Sequence, residues 1–484
     1  MTGFKAKPFM EGSAGKVCQI AWAAQPLEAR LKVLRKTRHE LSRLGADVAS
    51  AISPILARTA ADTRIAELLP LLDACRFLER QAKTILATRR LRRRGLPFWL
   101  SGVESEIERV PFGQILVIGP SNYPLFIPGV QVLQALIAGN SVTWKPGRGG
   151  QTVAELVAEV MIRAGLPQGL LQVTEDTVGA ASAALARNPD KVFFTGSADV
   201  GRILMRQLAD TLTPSVMELS GCDAVIVLPS ADLSRVIQAL TFGMRLNGSA
   251  TCMAPRRVLL VEASAARREA FLIALQIALS EVLAIRVSSD VRRLLETLLQ
   301  EAMRNGAHVL GDMPSETMKP IVVTGVLPDM RIAQADIFAP VLSVIDVPSQ
   351  NDVIAAQAAC PFVLTASIFG DEQQARKIAV HIVAGSVLIN DIIVPTADPR
   401  LPFSGRRESG FGSSRGAEGL LEMTSARTIA VRNSKSVRHY EATTTAHESL
   451  FDGLITSFHG RGLAERWRGL RQVAAAGKQL AKRK

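Results

Sequence analysis

The feature that most constrains the fold is an alternation of short apolar runs with helix-like stretches, which begins near residue 107. Strands that alternate with helices in this way indicate a parallel sheet covered by helices on both faces. The predicted strands contain the sequences GQILVIGP, SVTWKP, LLQVTE and KVFFTG. The predicted helices contain VQVLQALIAG, TVAELVAEVMIRAGLP, AASAALARN and DVGRILMRQLA.

The same alternation starts again after residue 222, and 484 residues are too many for one ordinary domain. The second set of strands contains DAVIVL, RRVLLVE, PIVVTGVL, LSVIDV and GSVLIN. Helices are predicted from 233 to 247, from 266 onward and near 370–383. We therefore predict an α/β protein with two doubly wound parallel-sheet domains in series. Before them, residues 26–94 carry leucines at helical spacing and predict helices that end at Gly95 and Pro97.

Composition excludes several other classes of protein. Hydrophobic residues are 48% and charged residues 21%, which is typical of a globular chain rather than a disordered one. Five cysteines without a C-x-x-C pair predict neither a disulfide framework nor a metal site. The N-terminal residues lack the apolar run of a signal peptide, and no apolar stretch predicts a membrane-spanning helix. Reduced thiols favour a cytoplasmic location.

The net charge of +13 is concentrated at the C-terminus, where residues 461–484 hold eight basic residues and one acidic residue. Leu463, Trp467, Leu470 and Ala474 follow steps of four, three and four along one face of a predicted helix. A basic amphipathic helix of this kind lies in the plane of an anionic membrane. A disordered basic tail and a helix docked on a partner subunit are the alternatives. The arginines of RRLRRRGLP are interpreted as a solvated helix end, and no nucleic-acid partner is predicted.

Two residues are candidates for catalysis on their position alone. Cys252 lies at a turn between a helix-like segment and the RRVLLVE strand, where a thiol can be exposed and reactive, although most free cysteines are simply buried. Glu218 ends an apolar strand before a glycine, and partial burial there suits a general base. A solvated acid at a strand end is the alternative.

A third candidate is VFFTGSADVG, which predicts a strand, a glycine turn and the start of a helix. Gly196, Ser197 and Gly201 would allow backbone and hydroxyl groups to approach a pyrophosphate at a helix N-terminus. As a nucleotide motif the segment is weak, because it is not G-x-G-x-x-G and many parallel-sheet turns are similar.

Taken together and in this order, seven segments resemble the motifs of the aldehyde dehydrogenase superfamily. The resemblance runs from about Pro111 to Thr428. Asn122 and Lys145 are 23 residues apart, and Glu218 and Cys252 are 34 apart, as in the family. The segments are GPSNYPL, AGNSVTWKP, FTGSADVG, MELSG, TCMAPRRV, DIFAPVLSV and LPFSGRRESGFG.

The resemblance implies NAD(P)-dependent oxidation of an aldehyde to a carboxylic acid. By position, Cys252 would be the nucleophile, Asn122 would hold the oxyanion, and Glu218 would activate the hydrolytic water. The cofactor-binding residues implied are Lys145 at the adenine ribose, Ser197 with Gly196 and Gly201 at the pyrophosphate, Asp336 at the nicotinamide ribose and Phe338 near the ring.

The resemblance also implies a domain organisation and a homodimer or homotetramer. Residues 1–96 and 112–217 would form the cofactor-binding domain and residues 218–423 the catalytic domain. Residues 97–111 and 424–440 would form a small β oligomerisation arm, and residues 441–484 are the extra basic tail.

Several departures from the family pattern bear on cofactor and reaction. Gly147 and Arg148 follow the lysine where the family often has serine and glutamate, so loss of the carboxylate and gain of an arginine favour NADP alongside NAD. Ser121, Ser249 and Ala250 also depart from the pattern. Transfer of the acyl group to coenzyme A and a catalytically inactive nucleotide-binding scaffold stay open as alternatives, although Glu218 favours hydrolysis.

Overall fold

The computed structural model describes residues 13–481 apart from 53–55, 57, 434–437 and 441. The predicted domains include residues outside these ranges at both ends and within the arm. The chain forms two compact units, which we call the main unit (Met1–Thr88 and Glu108–Arg427) and the small unit (Arg89–Ile107 and Thr428–Lys484).

The main unit begins with helices whose apolar faces are buried, as the leucine spacing predicts. Leu31, Leu34, Leu71 and Leu78 all belong to one core cluster. A short π-helical turn at Arg64–Leu68 joins the fourth helix to the fifth. The helices are α1 Ser13–Ala23, α2 Leu27–Leu41, α3 Gly45–Ala51, α4 Ala60–Thr63 and α5 Leu69–Ile85.

The first sheet of the main unit has six strands, five of them parallel. Its order is β17-β7-β6-β3-β4-β5, with only β17 antiparallel. The strands are β3 Gln114–Ile118, β4 Ser141–Lys145, β5 Leu171–Val173, β6 Lys191–Gly196, β7 Ser215–Leu219 and β17 Gly410–Phe411. The associated helices are α6 Phe126–Ala138, α7 Gln151–Arg163, α8 Val178–Leu185 and α9 Ala198–Thr211.

Both faces of this sheet are covered, which explains why its strands are almost continuously apolar. Val117 and Phe193 point into one core cluster, whereas Leu116 and Phe194 point into another. Neighbouring residues on one strand thus enter opposite cores, as the period of two requires.

The second sheet has seven strands in the order β11-β13-β14-β9-β8-β15-β16, of which only β11 is antiparallel. The strands are β8 Asp223–Val227, β9 Pro255–Val261, β11 His308–Leu310, β13 Ile321–Thr324, β14 Val341–Val347, β15 Thr365–Phe369 and β16 Ser386–Ile389. The helices are α10 Leu233–Arg245, α11 Ala265–Ser280, α12 Ser289–Arg304, α13 Asp352–Ala358 and α14 Glu372–Ala379. The last helix of the main unit, α15 Gly416–Glu422, instead buries Leu420 in the core cluster that contains α5 and α6. A two-stranded ribbon joins β10 Ile285–Arg286 to β12 Thr317–Met318. The predicted α/β class with two doubly wound sheets is confirmed.

The predicted domain boundary between residues 217 and 218 lies inside β7. The chain instead leaves the first sheet after Leu219 and enters the second at Asp223. It also returns, because β17 pairs with β7 and sets Gly410 opposite Glu218. Residues 410 and 411, which the sequence assigned to the catalytic domain, therefore form the edge strand of the first sheet.

A three-stranded sheet consists of β1 Arg89–Leu91, β2 Val103–Pro111 and β18 Thr424–Arg432. The small unit holds all of β1 and residues 103–107 and 428–432 of the other two strands. The prediction of helix through residue 94 is wrong here, since Arg89–Leu91 pairs antiparallel with Ser105–Ile107. All three β1 residues are exposed, so this edge strand has no buried face to leave an apolar pattern.

The C-terminal residues form two helices, α16 Thr445–His459 and α17 Leu463–Ala481. The two helices pack against each other at glycines. A Cβ atom at Gly453 would lie 2.8 Å from the Val473 nitrogen, and one at Gly469 would lie 2.5 Å from the Ser457 nitrogen. Within the described residues, no helix combines the length and apolar character that crossing a membrane requires.

Candidate active site

Glu218 is held at the carboxyl end of β7 and is 4% exposed. The returning segment flanks it, and the Ser414 hydroxyl donates a hydrogen bond to its Oε2. Burial raises the pKa of the Glu218 carboxyl, and the positive charge of Arg415 and the Ser414 hydrogen bond oppose that rise. A buried carboxylate with a raised pKa is suited to accept a proton from water near neutral pH.

Cys252 follows a loop that the structure fixes in an uncommon conformation. Asn247, Gly248 and Ser249 all have positive φ angles, at 52°, 56° and 60°. The buried guanidinium of Arg256 donates to the Ser249 hydroxyl at 2.6 Å and to the Ser249 carbonyl at 2.5 Å. These bonds stabilise the loop against the strain of left-handed backbone and fix where the thiol emerges.

The Cys252 side chain is partly exposed. Burial raises the pKa of its thiol, and the carboxyl groups of Glu218, Asp223 and Asp336 raise it further, whereas Arg415 lowers it. The thiol therefore senses the charge of Glu218, as expected for two groups that share one site.

Gly221 explains how the Glu218 and Cys252 segments approach each other. A Cβ atom at this position would collide with the carbonyl oxygen of Cys252. Gly221 lies two residues after the end of β7, and its lack of a side chain thus allows its backbone to contact the backbone of Cys252. This contact explains why the MELSG segment has a glycine three residues after Glu218.

Asn122 contacts the cysteine loop directly. Its Nδ2 donates to the Ala250 carbonyl at 2.9 Å, two residues before Cys252. The hydroxyl of Tyr123 lies 2.9 Å from the Thr251 hydroxyl. The structure therefore brings Asn122, Glu218 and Cys252 to one place, as the resemblance predicts.

A buried ion pair that the sequence analysis missed supports Asn122. Arg58 contacts Glu67 at 2.5 Å and donates to the Asn122 carbonyl and, at 2.7 Å, to the Asn247 Oδ1. Glu67 also accepts from the backbone nitrogen of Phe126 at 2.7 Å. Arg58 is 64 residues from Asn122 along the chain, and no local pattern marks it.

The residues predicted to bind the adenine ribose and the pyrophosphate lie at or just after the carboxyl ends of first-sheet strands, where doubly wound folds bind nucleotides. Lys145 ends β4 and is largely buried, which lowers the pKa of its ammonium group, while Asp176 raises it. Arg148 is exposed three residues later. The Asp176 carboxylate accepts a hydrogen bond from the Gly149 nitrogen at 2.6 Å.

The pyrophosphate candidates lie where β6 passes into α9. Gly196 ends the strand and Ser197 is the N-cap residue, whose hydroxyl accepts from the Val200 nitrogen. A Cβ atom at Gly201 would lie 2.8 Å from a Leu219 methyl carbon, so glycine allows close packing of helix on sheet. The free N–H groups of this helix end favour an anion.

Asp336 and Phe338 lie in the loop before β14, on the second sheet. The Oδ1 atom of Asp336 is buried and has no hydrogen-bond partner among the described residues. An unpaired buried acceptor requires a donor, and a ribose hydroxyl would supply one. The acceptor, the helix end and Lys145 together fit a dinucleotide. Among the described residues, no three His, Cys, Asp or Glu side chains are grouped to hold a metal ion.

The aldehyde dehydrogenase family model matches residues 12–429. The chain belongs to the aldehyde dehydrogenase family. It is an NAD(P)-dependent enzyme that oxidises aldehydes.

One relative and two solved structures illustrate the similarity. The 4,4'-diapolycopene aldehyde oxidase of Methylomonas sp. is 27% identical over 96% of this aldehyde dehydrogenase and 89% of the relative. The Mycobacterium tuberculosis aldehyde dehydrogenase complexed with NAD+ has a TM-score of 0.78 at 25% identity, covering 88% and 90% of the two chains. The NADP-dependent glyceraldehyde-3-phosphate dehydrogenase of Bacillus halodurans C-125 complexed with NADP has a TM-score of 0.79 at 25% identity, covering 87% and 90%.

Two further residues of this aldehyde dehydrogenase escaped the sequence analysis. Ser414 and Arg415 are buried next to Glu218, five and six residues after the last serine of the segment that resembles P-F-G-G-x-K-x-S-G. The motif indicated that this segment of the chain returns to the site. It did not indicate which of the residues that follow it point into the site.

Proposed function

We propose that Cys252 is the nucleophile, Asn122 the oxyanion donor and Glu218 the general base of this enzyme. The contact between Gly221 and the Cys252 carbonyl carries the proposal, because it brings the glutamate strand to the cysteine loop. The Cys252 thiolate attacks the aldehyde carbon and forms a thiohemiacetal. One N–H of the Asn122 amide already donates to Ala250, which leaves its second N–H for the developing oxyanion.

A bound NAD(P) would supply the hydride acceptor for the thiohemiacetal carbon. The remaining thioester on Cys252 is then hydrolysed. Glu218 takes a proton from water, the resulting hydroxide attacks the acyl carbon, and the sulfur leaves as the thiolate. The products are a carboxylic acid and the regenerated cysteine.

The test is reduction of NAD and NADP by the purified chain and its Cys252→Ala variant over short, long and aromatic aldehydes, without coenzyme A. Turnover by the parent chain and its loss in the variant support the proposal. Turnover that needs coenzyme A would instead identify an acylating enzyme. Nucleotide binding without any turnover would identify an inactive scaffold.

We further propose that the substrate is a long apolar aldehyde taken from an anionic membrane, with the small unit as the docking surface. Its 76 residues hold sixteen Lys and Arg against six Asp and Glu, so +10 of the net +13 resides there. Leu463, Trp467 and Leu470 are exposed along one face of α17. At the surface of an anionic bilayer, the exposed apolar residues are buried and the neighbouring basic residues are attracted to the lipid headgroups. Contact with water alone provides neither interaction.

The comparison with known proteins supports the substrate class. The relative named 4,4'-diapolycopene aldehyde oxidase matches 96% of this chain, so the similarity extends into the residues beyond 429 that the family model leaves out. A polyene aldehyde is apolar along its length and partitions into a bilayer. An enzyme that oxidises it benefits from a membrane-binding surface.

Sedimentation with vesicles tests this part. The full chain is expected to bind phosphatidylglycerol vesicles and not phosphatidylcholine vesicles, and a chain ending at residue 441 is expected to bind much more weakly. Equal binding of both chains would remove the docking proposal. Equal turnover of a short soluble aldehyde by both chains shows that the active site is intact in each.

We also propose a cytoplasmic homodimer or homotetramer. Val200, Ile203 and Met205 on α9 are exposed apolar residues of the kind that a subunit interface covers. The five free cysteines agree with a reducing compartment. Light scattering coupled to gel filtration tests the assembly, and a monomer at micromolar concentration would contradict it.

Cofactor preference is the last part of the proposal. Arg148 is exposed at the predicted ribose site and can pair with the 2′-phosphate of NADP, so we expect NADP to be used alongside NAD. Asp176 is a negative charge close to Arg148, because its carboxylate accepts a hydrogen bond from the backbone nitrogen of Gly149, the next residue.

A further inference from the structure

Arg415 is a buried cation in a place that the proposed mechanism does not use. Its side chain is 6% exposed, and among the described residues no carboxylate lies within ion-pair distance of it. One guanidinium nitrogen donates to the Thr396 carbonyl at 2.8 Å. The guanidinium carbon lies 4.2 Å from the centre of the Phe403 ring and 5.3 Å from that of Phe126. Burial lowers the pKa of Arg415, but a guanidinium stays protonated in proteins.

Two chains of contacts connect this cation to the proposed catalytic pair. On one side, the adjacent residue Ser414 donates a hydrogen bond to Glu218. On the other side, Thr396, whose carbonyl accepts from Arg415, also places its hydroxyl 3.5 Å from the Met253 sulfur, next to Cys252. Arg415 is therefore linked through neighbouring residues to the surroundings of both Glu218 and Cys252.

Three charged groups near Cys252 are acidic, and Arg256 is a second cation near it. Glu218, Asp223 and Asp336 all raise the pKa of the thiol, and burial raises it as well. Arg415 opposes them, and it favours the ionised form of Glu218 too. The nearby cation Arg256 is engaged with Ser249 and Ala339 and faces Asp336.

Burying a guanidinium without a carboxylate partner is costly, so its presence needs a compensating role. Resting on the proposed function, we propose that Arg415 is an electrostatic positioning residue that favours the Cys252 thiolate and the Glu218 carboxylate. Its charge takes the place of an activating histidine, and the thiol proton leaves to solvent. The two phenylalanine rings hold the guanidinium in place through cation–π contacts.

The test is the pH dependence of Cys252 alkylation by iodoacetamide in the cofactor-free full chain, followed at the Cys252 peptide by mass spectrometry. Arg415→Met keeps much of the side-chain volume and removes the charge. We expect it to move the alkylation midpoint upward by about one pH unit or more and to slow alkylation at pH 7.5 about tenfold. Arg415→Lys keeps the charge and is expected to stay within about threefold of the parent chain.

Arg400→Met is the matched control, because Arg400 is an exposed arginine paired with Asp398 and lies fifteen residues before Arg415 in the chain. It is expected to leave the profile unchanged. A parent-like profile for Arg415→Met would overturn the proposal, and so would equal slowing in the Met and Lys variants, which would show a packing role. If Arg415→Met does not fold, Arg415→Gln makes the same comparison.

A second readout follows Glu218. Hydrolysis of the acyl-enzyme in a single turnover is expected to need higher pH in Arg415→Met, because the carboxylate loses a favourable charge. The experiments distinguish failure of this proposal from failure of the proposed function. If Cys252→Ala keeps its turnover, Cys252 is not the nucleophile, whereas an unchanged alkylation profile in Arg415→Met removes only the role of Arg415.

Discussion

The main and small units use their tryptophans and tyrosines in opposite ways. In the main unit, Trp22, Trp144 and Tyr123 are buried. In the small unit, Trp99 is 67% exposed, Trp467 63% and Tyr440 79%. Aromatic residues are only 5% of this chain, so leaving half of these six in water is a feature to explain. One unit uses large amphipathic rings to fill cores, and the other presents them at its surface.

The charge follows the same division. The small unit carries +10 and the main unit the remaining +3 of the net charge. Cationic surface with exposed rings is typical of a unit that meets an anionic interface, and a near-neutral unit with buried rings is typical of a folded enzyme. The difference teaches that catalysis and docking should be separable by substitution. The following predictions test that separation.

The largest effect is expected from Cys252→Ala. Without the sulfur no thioester forms, and turnover of any aldehyde should fall by at least about a thousandfold. Vesicle binding should match that of the parent chain, since the change lies in the main unit. The measurement is cofactor reduction at 340 nm beside vesicle sedimentation. Loss of both properties would break the separation.

Glu218→Gln should slow steady-state turnover by about 10²- to 10⁴-fold, because an amide cannot take the proton of the hydrolytic water. Formation of the thioester needs Cys252 and not this base. We therefore expect a rapid burst of one reduced cofactor per site before the slow phase, seen in stopped-flow absorbance. A slow reaction with no burst would contradict the assignment of Glu218 to hydrolysis.

In the small unit, Trp467→Glu places a charge on the exposed face of α17 and should weaken binding to anionic vesicles by about tenfold or more. Gln479→Glu adds the same charge elsewhere on the helix and is the control. Turnover of a short soluble aldehyde should be unchanged in both. Equal weakening by the two variants would reduce the effect to net charge alone.

Arg148→Glu should lower the ratio of NADP to NAD efficiency about tenfold, because a carboxylate repels the 2′-phosphate and accepts from ribose hydroxyls. Arg206→Glu makes the same charge change on exposed α9 and should leave the ratio within about twofold. The measurement is kcat/KM for each cofactor. An unchanged ratio in Arg148→Glu would show that Arg148 faces solvent only.

The smallest effect is expected from Ser414→Ala. The Ser414 hydroxyl donates to the charged form of Glu218, so its loss should raise the pKa of that carboxyl further above its usual range. As the pH falls, the variant should therefore lose activity at a higher pH than the parent chain does. The difference should be less than about one pH unit. Ser413→Ala, one residue away, is the control for the pH profile. An acid limb that does not move would show that this hydrogen bond is unimportant for the base.

The sequence predicted the parts of the fold that have a buried face. The first-sheet strands and helices were found because the strands are almost fully buried and each helix has a buried side. β1 was missed because all its side chains are exposed. β15 was missed although its run TASIF is no more polar than SVTWK of β4. Helix α12, which has an amphipathic pattern, was not recognised at all.

The residues of the candidate site likewise include some that the sequence predicted and others that it did not. The proximity of Glu218 and Cys252 followed from family resemblance, since 34 residues of separation do not by themselves imply contact. The supporting residues Arg58 and Arg415 come from elements far away in the chain. Their roles depend on how those elements pack, which no local pattern records.

The pairing of Gly410 with Glu218 also has a consequence for how the protein is made. The strand that bears Glu218, the proposed general base, gains its outer neighbour only from residues about 190 positions later in the chain. A ribosome therefore releases most of the main unit before Ser414 and Arg415 can reach Glu218. The site around Cys252 therefore stays incomplete until residues 410–415, near the end of the main unit, have emerged from the ribosome.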